Sequence, residues 1–323
     1  MSSTPSARSL HPRATRRRYA VRRVAALVAL VALGAAGSRL ASAVSSAGDT
    51  ASAGASGAVD AGGAATEAVG DTSTTQAPVA TGVPADTTLP VPPTPNVPTA
   101  SDPAVVLIAG DSEAGTFGPY LEGLLRDTGV VRTELNYKVS SGLARPDFFN
   151  WPAHLRTIIP SVDPDIVVLT FGGNDAQGLT DSSGTFVYDQ PTGDADKDAR
   201  WRAEYGTRVG EVIEYLASEG RTLVWVGIPN DDNPEVTARM QAQDEVVREQ
   251  VAANPEVIFI DTWKRFSGIS GNWAEYVIDP RDNQGKDVRA DDGFHLNVAG
   301  AEILALDIAE VIRAELVARG ASV

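Results

Sequence analysis

Three short motifs carry the residue types that serine-based acyl transfer requires. Ser112 follows a Gly-Asp pair at a turn after an apolar run, where its hydroxyl is exposed and its backbone N–H can face an anion. Asp292 stands three residues before His295, so its carboxylate can reach one ring nitrogen and leave the other to act as a general base. Asn174, which follows a double glycine, can donate its amide N–H to an oxyanion. The motifs therefore supply a nucleophile, a base with its carboxylate, and an electrostatic donor.

Each motif also has a simpler structural explanation. A Gly-Asp-Ser turn is a common helix start, a Gly-Gly-Asn run is an ordinary turn, and a lone histidine is more often structural than catalytic. Ala114 stands where the Gly-x-Ser-x-Gly motif of α/β-hydrolases has glycine. Of the three histidines, His11 precedes an apolar N-terminal segment and His154 is expected to pack at a helix start, which leaves His295 as the candidate base. Asp291 is an alternative carboxylate, disfavoured by its spacing.

The elements that must position these motifs appear as four short apolar runs without polar alternation. Such runs predict strands that are buried on both faces of a parallel sheet, and helical patterns lie between them. The runs are 105–108, 166–169, 223–226 and 257–260, with a weaker candidate near 133–139. This β-α-β rhythm predicts one three-layer α/β domain over residues 101–323. Sites in such sheets lie at the carboxyl ends of the strands, where the serine and asparagine motifs occur.

The charge distribution argues against several classes of function. The chain carries 27 basic and 42 acidic side chains, and eight of the basic ones, all arginine, lie within residues 1–39. The remainder is strongly acidic, so nucleic acid, which needs a basic binding surface, is not an expected partner. The chain has no cysteine and only three histidines, which argues against thiolate and multi-histidine metal sites. We therefore expect neither a cofactor nor a metal ion.

The N-terminal third is predicted to lie outside the folded domain. An arginine-rich start, a 14-residue apolar stretch and an Ala-Ser-Ala sequence at 41–43 predict an export segment over residues 1–43, which contacts the membrane and is either cleaved or kept as an anchor. Residues 44–100 are mostly Ala, Gly, Ser, Thr, Val and Pro and are predicted to be a disordered linker. The expected location is therefore secreted, or tethered on the outer side of the cytoplasmic membrane.

The order of the motifs along the chain resembles the SGNH/GDSL-type hydrolase superfamily over residues 103–318. The resemblance implies a three-layer α/β/α fold with a flavodoxin-like, mainly parallel sheet, and an ester hydrolase activity that needs no cofactor. It also implies roles, in which Ser112 matches the nucleophile, His295 the base and Asp292 its carboxylate. The backbone N–H groups of Ser112 and Gly142 and the side chain of Asn174 match the oxyanion donors. The sequence around Gly142 looks like an exported bacterial subfamily of unknown substrate.

The sequence departs from that superfamily at Glu113, because the residue after the serine is usually apolar. A carboxylate at this position disfavours the oxyanion if it points inward, and is harmless if it lies on the helix surface. An acid at a helix N-terminus is electrostatically favourable, so we expect the harmless surface position.

Three functions fit these observations. The first is an exported esterase that removes an acyl group, such as acetyl, from a carbohydrate or lipid through an acyl-enzyme. The second is an O-acyltransferase of cell-envelope glycan with the same triad, and the third is a non-catalytic envelope-binding module. The long segments 176–200 and 261–291 hold six aromatic residues, which either shape a substrate pocket or pack the loops onto the sheet.

Overall fold

A computed structural model describes residues 97–323 of the chain. The predicted export segment and the predicted linker, up to residue 96, lie outside the described residues. Within residues 97–323, no helix combines the length and the apolar character needed to cross a membrane. The predicted folded domain, which begins at residue 101, lies wholly within the described part.

Strands and helices alternate along most of this region. The strands are β1 (Ala104–Gly110), β2 (Val131–Tyr137), β3 (Ile166–Thr170), β4 (Leu179–Thr180), β5 (Phe186–Tyr188), β6 (Thr222–Val226), β7 (Ile258–Ile260), β8 (Tyr276–Asp279) and β9 (Gln284–Asp287). The helices are α1 (Ser112–Arg126), α2 (Trp151–Val162), α3 (Ala199–Leu216), α4 (Pro234–Ala253), α5 (Thr262–Arg265) and α6 (Val298–Ala318).

Five of the strands form one parallel sheet in the order β2-β1-β3-β6-β7. This is the flavodoxin-like order, in which β1 and β3 are neighbours at the point where the chain reverses its direction across the sheet. Gly110 at the end of β1 pairs with Thr170 at the end of β3. The loops that carry Ser112 and Asn174 therefore leave the sheet side by side.

Helices cover both faces of the sheet, which confirms the predicted three-layer α/β/α architecture. Alternate side chains of a strand point to opposite faces, so Val106 and Val168 pack with α1 and α6, whereas Leu107 and Leu169 pack with α2, α3 and α4. Because both faces are buried, each central strand is apolar at consecutive positions.

The four apolar runs are all strands of the central sheet, as predicted, and the weaker candidate is its edge strand β2. Two small hairpins were not predicted: β4 pairs antiparallel with β5, and β8 with β9. These strands are two to four residues long, and none contains the four consecutive apolar residues on which the prediction depends.

Candidate active site

The structure brings Ser112, His295 and Asp292 together at the carboxyl end of the sheet. Ser112 is the first residue of α1, and its Oγ lies 2.8 Å from His295 Nε2. On the other side of the ring, His295 Nδ1 lies 2.6 Å from Asp292 Oδ2. The second oxygen of Asp292 accepts the backbone N–H groups of Phe294 and His295, at 3.1 and 3.0 Å. The contacts form a continuous Ser-His-Asp chain whose carboxylate is fixed by its own loop.

The electrostatics of the pair favour a charged imidazole. Burial alone lowers the pKa of His295, but the hydrogen bond to Asp292 and the nearby carboxylates outweigh it and raise that pKa to about 9. Burial raises the pKa of Asp292, yet the hydrogen bond and the charge of His295 lower it to about 2. Asp292 is therefore ionised over the whole range in which an esterase works, and it stabilises the imidazolium. Asp292, rather than the alternative Asp291, makes the contact with the histidine.

Ser112 is presented by a tight turn that only glycine permits. Gly110 has φ +148°, and a Cβ there would lie 2.1 Å from the carbonyl oxygen of Thr170. Asp111 is the N-cap of α1: its side chain accepts the N–H of Glu113 at 2.9 Å. The other oxygen of Asp111 accepts the N–H groups of Gly172 and Gly173, at 3.0 and 3.1 Å. The turn of the nucleophile is thereby tied to the loop that carries Asn174.

Asp175 ties a second loop to the same place. Its buried carboxylate accepts the N–H groups of Leu143 and Ala144, at 2.8 and 2.9 Å, and the hydroxyl of Tyr205 at 2.8 Å. Burial raises the pKa of Asp175, and these donors oppose that rise. A Cβ on Gly142 would lie 2.0 Å from Asp175 Oδ1, so glycine lets the loop approach the carboxylate closely. Asp175 therefore fixes the position of the loop that contains Gly142.

The three predicted oxyanion donors lie on the loops that these aspartates join. Asn174 Nδ2 donates to the carbonyl oxygen of Ser141 at 3.3 Å, a long bond that an oxyanion could replace. The backbone N–H of Ser112 is at the first turn of α1, where no intrahelical acceptor exists. Within residues 97–323, the N–H of Gly142 donates no hydrogen bond. These N–H groups are therefore available to a ligand.

Replacing Asp175 with asparagine is expected to lower kcat for an ester by about tenfold or more and to lower the free energy of unfolding by about 1–3 kcal/mol. The amide nitrogen cannot accept a hydrogen bond, so one of the Leu143 and Ala144 N–H groups loses its partner and the Gly142 loop shifts. Steady-state kinetics and urea unfolding measure the two effects. The exposed Asp189→Asn change is the control; equal kinetics in both variants would contradict the positioning role.

The expectation for Glu113 is wrong, because its side chain is 2% exposed rather than on the helix surface. Neither carboxyl oxygen has a hydrogen-bond partner within residues 97–323. The first turn of α1 is buried: Ala114 and Phe117 pack in the core beneath the site. Burial raises the pKa of Glu113 to about 7, partly opposed by the charges of His295 and Arg289. The acid that directly follows the nucleophile is thus buried rather than exposed to solvent.

Several residues that hold the site were not singled out in the sequence. Asp111 and Asp175 lie inside the Gly-Asp-Ser and Gly-Gly-Asn-Asp motifs, so their motifs offered a signal. Arg208 donates to the carbonyl oxygens of Leu143, Ala144 and Thr180, and nothing in its sequence context indicates this. Arg289 donates to the carbonyl oxygen of Phe294, beside the catalytic histidine, and also lacks a local signal.

His154 packs as expected. Its ring contacts the rings of Phe149 and Trp151 at the start of α2, and its Nε2 lies 2.9 Å from Asn136 Oδ1. Burial lowers the pKa of His154. It takes no part in the contacts of the triad.

A cleft of about 660 Å³ lies beside the catalytic loop. It is lined by Trp263 and Trp273 together with carboxylates, among them Asp231 and Asp232. Trp273 donates its indole N–H to the carbonyl oxygen of Gly293 at 2.7 Å, which places the cleft next to Asp292. The aromatic residues of the long segments therefore have two different roles: Phe266 is fully buried in the core, whereas these two tryptophans line the cleft.

Within the described residues, no three His, Asp or Glu side chains are grouped so that they could hold a metal ion.

Comparison with solved structures gives matches to hydrolases at low identity. A GDSL-like lipase from Bacteroides thetaiotaomicron is 13% identical, with 68% of this chain and 92% of that chain covered and a TM-score of 0.45. An acetyl xylan esterase from Geobacillus stearothermophilus is 16% identical, with 65% and 94% covered and a TM-score of 0.45. None of the curated proteins is similar to this sequence.

The order of the sheet, and the position of the motifs on loops at its carboxyl end, agree with the fold that the SGNH/GDSL-type resemblance implies. Residues 105–311 match the DUF459 family, which is described as proteins of unknown function. This region contains the central sheet apart from the first residue of β1, and all three residues of the Ser-His-Asp chain. The chain belongs to the DUF459 family.

Proposed function

We propose that this protein is an exported serine esterase that hydrolyses an O-acyl ester of a carbohydrate or lipid through an acyl-enzyme. The observation that carries the proposal is the continuous chain from Ser112 through His295 to Asp292, with both contacts shorter than 3 Å. A histidine that contacts a serine hydroxyl on one side and a carboxylate on the other is the arrangement that activates a serine nucleophile. Export rests on the sequence pattern of residues 1–43.

The proposed reaction proceeds in two steps. Neutral His295 takes the proton of Ser112 Oγ as that oxygen attacks the ester carbonyl, and the imidazolium then gives this proton to the leaving alcohol. In the second step a water molecule loses a proton to His295 and attacks the acyl-serine, which releases the acid and restores the serine hydroxyl. The N–H groups of Ser112 and Gly142 and the Asn174 amide stabilise the oxyanion in both steps.

The lining of the cleft beside the catalytic loop favours an ester whose alcohol portion is polar. Indole rings such as Trp263 and Trp273 offer flat apolar faces, and carboxylates such as Asp231 and Asp232 accept hydrogen bonds from hydroxyl groups. A surface rich in carboxylates disfavours a highly anionic polymer. A neutral acylated glycan fits this lining better than a charged one.

Hydrolysis of p-nitrophenyl acetate and butyrate by the full chain, with a fluorophosphonate as inhibitor, tests the proposal. We expect turnover of at least one ester, and one phosphonate per chain attached to Ser112 in a peptide map. The phosphonate reports on the nucleophile independently of the natural substrate. A folded protein that neither hydrolyses the esters nor reacts with the phosphonate would contradict the esterase and favour the non-catalytic binding module.

A further inference from the structure

Trp273 lies at the junction of the cleft and the catalytic loop. It is half-buried and is one of the two tryptophans that line the cleft. Its indole N–H donates to the carbonyl oxygen of Gly293 at 2.7 Å. Gly293 lies between Asp292 and His295 in the chain, so this hydrogen bond reaches the loop that carries two members of the triad. One side chain therefore contacts both the cleft and the catalytic loop.

The catalytic loop packs directly against the lining of the cleft at Gly293. The backbone N–H of Asp232, which also lines the cleft, donates to the carbonyl oxygen of Gly293 at 3.2 Å. Gly293 has φ +87°, and a Cβ there would lie 2.5 Å from Asp232 Oδ1. Glycine therefore permits both the backbone conformation and the close approach. The Gly293 carbonyl group is held by two donors from the same side of the loop.

Arg289 fixes the position of Trp273 relative to this loop. Its guanidinium lies 5.8 Å from the centre of the Trp273 ring, and its Nε donates to the carbonyl oxygen of Ala274 at 3.2 Å. The same guanidinium donates to the carbonyl oxygen of Phe294 at 3.0 Å. Arg289 is 5% exposed, and hydrogen bonds from a charged donor are strong. The segment of Trp273 and the catalytic loop are therefore joined by a buried side chain as well as by the indole.

The second tryptophan of the cleft leads to the same loop. Trp263 packs against a small buried cluster, which consists of Ile228, Met240 and Phe294. The ring of Phe294 contacts the ring of His295, with the centroids 4.9 Å apart and the planes at 71°. The lining of the cleft is thus connected to the catalytic histidine at a second place.

We propose that Trp273 has two roles: its ring forms a wall of a subsite for the alcohol portion of a neutral acylated sugar, and its N–H positions the catalytic loop. The inference rests on the proposed esterase function, since both roles concern that reaction. The cleft of about 660 Å³ is large enough for a sugar ring, whose C–H groups can pack against an indole face. Without the indole N–H, the Gly293 carbonyl loses its shorter hydrogen bond, and Asp292 and His295 lose part of their support.

Trp273→Phe and Trp273→Leu separate the two roles in the full chain. Both variants lack the indole N–H, but only Trp273→Phe keeps an aromatic ring in the cleft. Ethyl acetate has an alcohol portion too small to fill the cleft, and we expect both variants to lower its kcat about tenfold or more. For a fully acetylated methyl glucoside, we expect Trp273→Leu alone to raise KM as well, about tenfold. Tyr276→Phe, an exposed aromatic residue of the same segment, is the control and is expected to change neither value.

NMR of the indole N–H groups tests both roles without turnover and without a Trp273 variant that must be active. The chain has five tryptophans, whose signals are assigned by replacing them one at a time. We expect the Trp273 N–H to exchange with solvent more slowly than an exposed indole, because it is hydrogen-bonded. In Ser112→Ala, which does not form the acyl-enzyme, the acetylated glucoside is expected to shift this signal in a saturable manner.

Each role can be contradicted separately. Wild-type kcat for ethyl acetate in Trp273→Phe, or fast exchange of the Trp273 N–H, would overturn the positioning role. Equal KM values for the acetylated glucoside in Trp273→Phe and Trp273→Leu, or an indole signal that the glucoside does not shift, would overturn the subsite. If the wild type neither hydrolyses esters nor reacts with the phosphonate, the esterase function and the positioning role fail together. A saturable shift of the Trp273 signal would then support the sugar site alone.

Discussion

Replacing Ser112 with alanine is expected to lower kcat for p-nitrophenyl butyrate by about 10⁴–10⁶. The hydroxyl is the atom that forms the acyl-enzyme, and within the triad His295 has no other nucleophile to activate. The residual rate would come from the oxyanion donors and from binding, which remain in the variant. The change removes one partly buried oxygen and one hydrogen bond, so the fold is expected to persist. Steady-state kinetics and near-UV circular dichroism check both statements.

Ser161→Ala is a suitable control for this experiment. Ser161 lies in α2, is exposed, and donates only to the carbonyl oxygen of Ile158. That variant is expected to keep the wild-type kcat within about twofold, because exposed substitutions away from a site have small effects. Ester turnover by Ser112→Ala at the wild-type rate would show that another group reacts, and would remove the serine from the mechanism.

The central sheet could be predicted because its signal is local. Each inner strand is covered by helices on both faces, so consecutive positions such as Ile166 to Leu169 are apolar in the sequence itself. The placement of the motifs at strand ends then follows from parallel topology. The hairpins could not be predicted because their strands are short: β8 has three apolar residues before Asp279, and β9 reads Gln-Gly-Lys-Asp.

The inward position of Glu113 could not be predicted from the sequence. An acid in the first turn of a helix is favourable whichever way the helix faces, and the rotation of α1 about its axis is set by partners far along the chain. Phe117 and Leu121 pack with α6, and this packing fixes the rotation of α1 that buries Glu113. The same holds for Arg289, which donates to the carbonyl oxygens of Asn230 and Phe266, on segments distant in sequence.

The two buried aspartates have a common physical function that explains their place in the motifs. Asp111 accepts N–H groups from the glycine loop after β3, and Asp175 of that loop accepts N–H groups from the loop after β2. Two buried carboxylates thus join three neighbouring strand ends. Their hydrogen bonds with the N–H donors are stronger in the low-dielectric interior than they would be in water. The nucleophile and the oxyanion donors therefore belong to one rigid unit, so a displacement of one loop also displaces the others.

Gly142→Ala tests this unit at its tightest contact and is expected to lower kcat by about 10²–10³ with little change in KM. The added Cβ would lie 2.0 Å from Asp175 Oδ1 and 2.5 Å from its Cγ. Either Asp175 withdraws and releases the N–H groups of Leu143 and Ala144, or the loop moves and takes the Gly142 N–H away from the oxyanion. Both outcomes weaken a contact that matters most in the transition state.

Gly123→Ala supplies the matched control, since a Cβ on Gly123 in α1 meets nothing within 4 Å. That change is expected to keep the wild-type kcat and to raise the free energy of unfolding by about 0.4–1 kcal/mol, because alanine restricts the unfolded chain more than glycine does. Overpacking at Gly142 is expected to lower stability by about 1–3 kcal/mol. Kinetics at substrate saturation and urea unfolding separate the two contributions. A Gly142→Ala variant with wild-type kcat would mean that the Gly142 N–H does not bind the oxyanion, whatever the effect on stability.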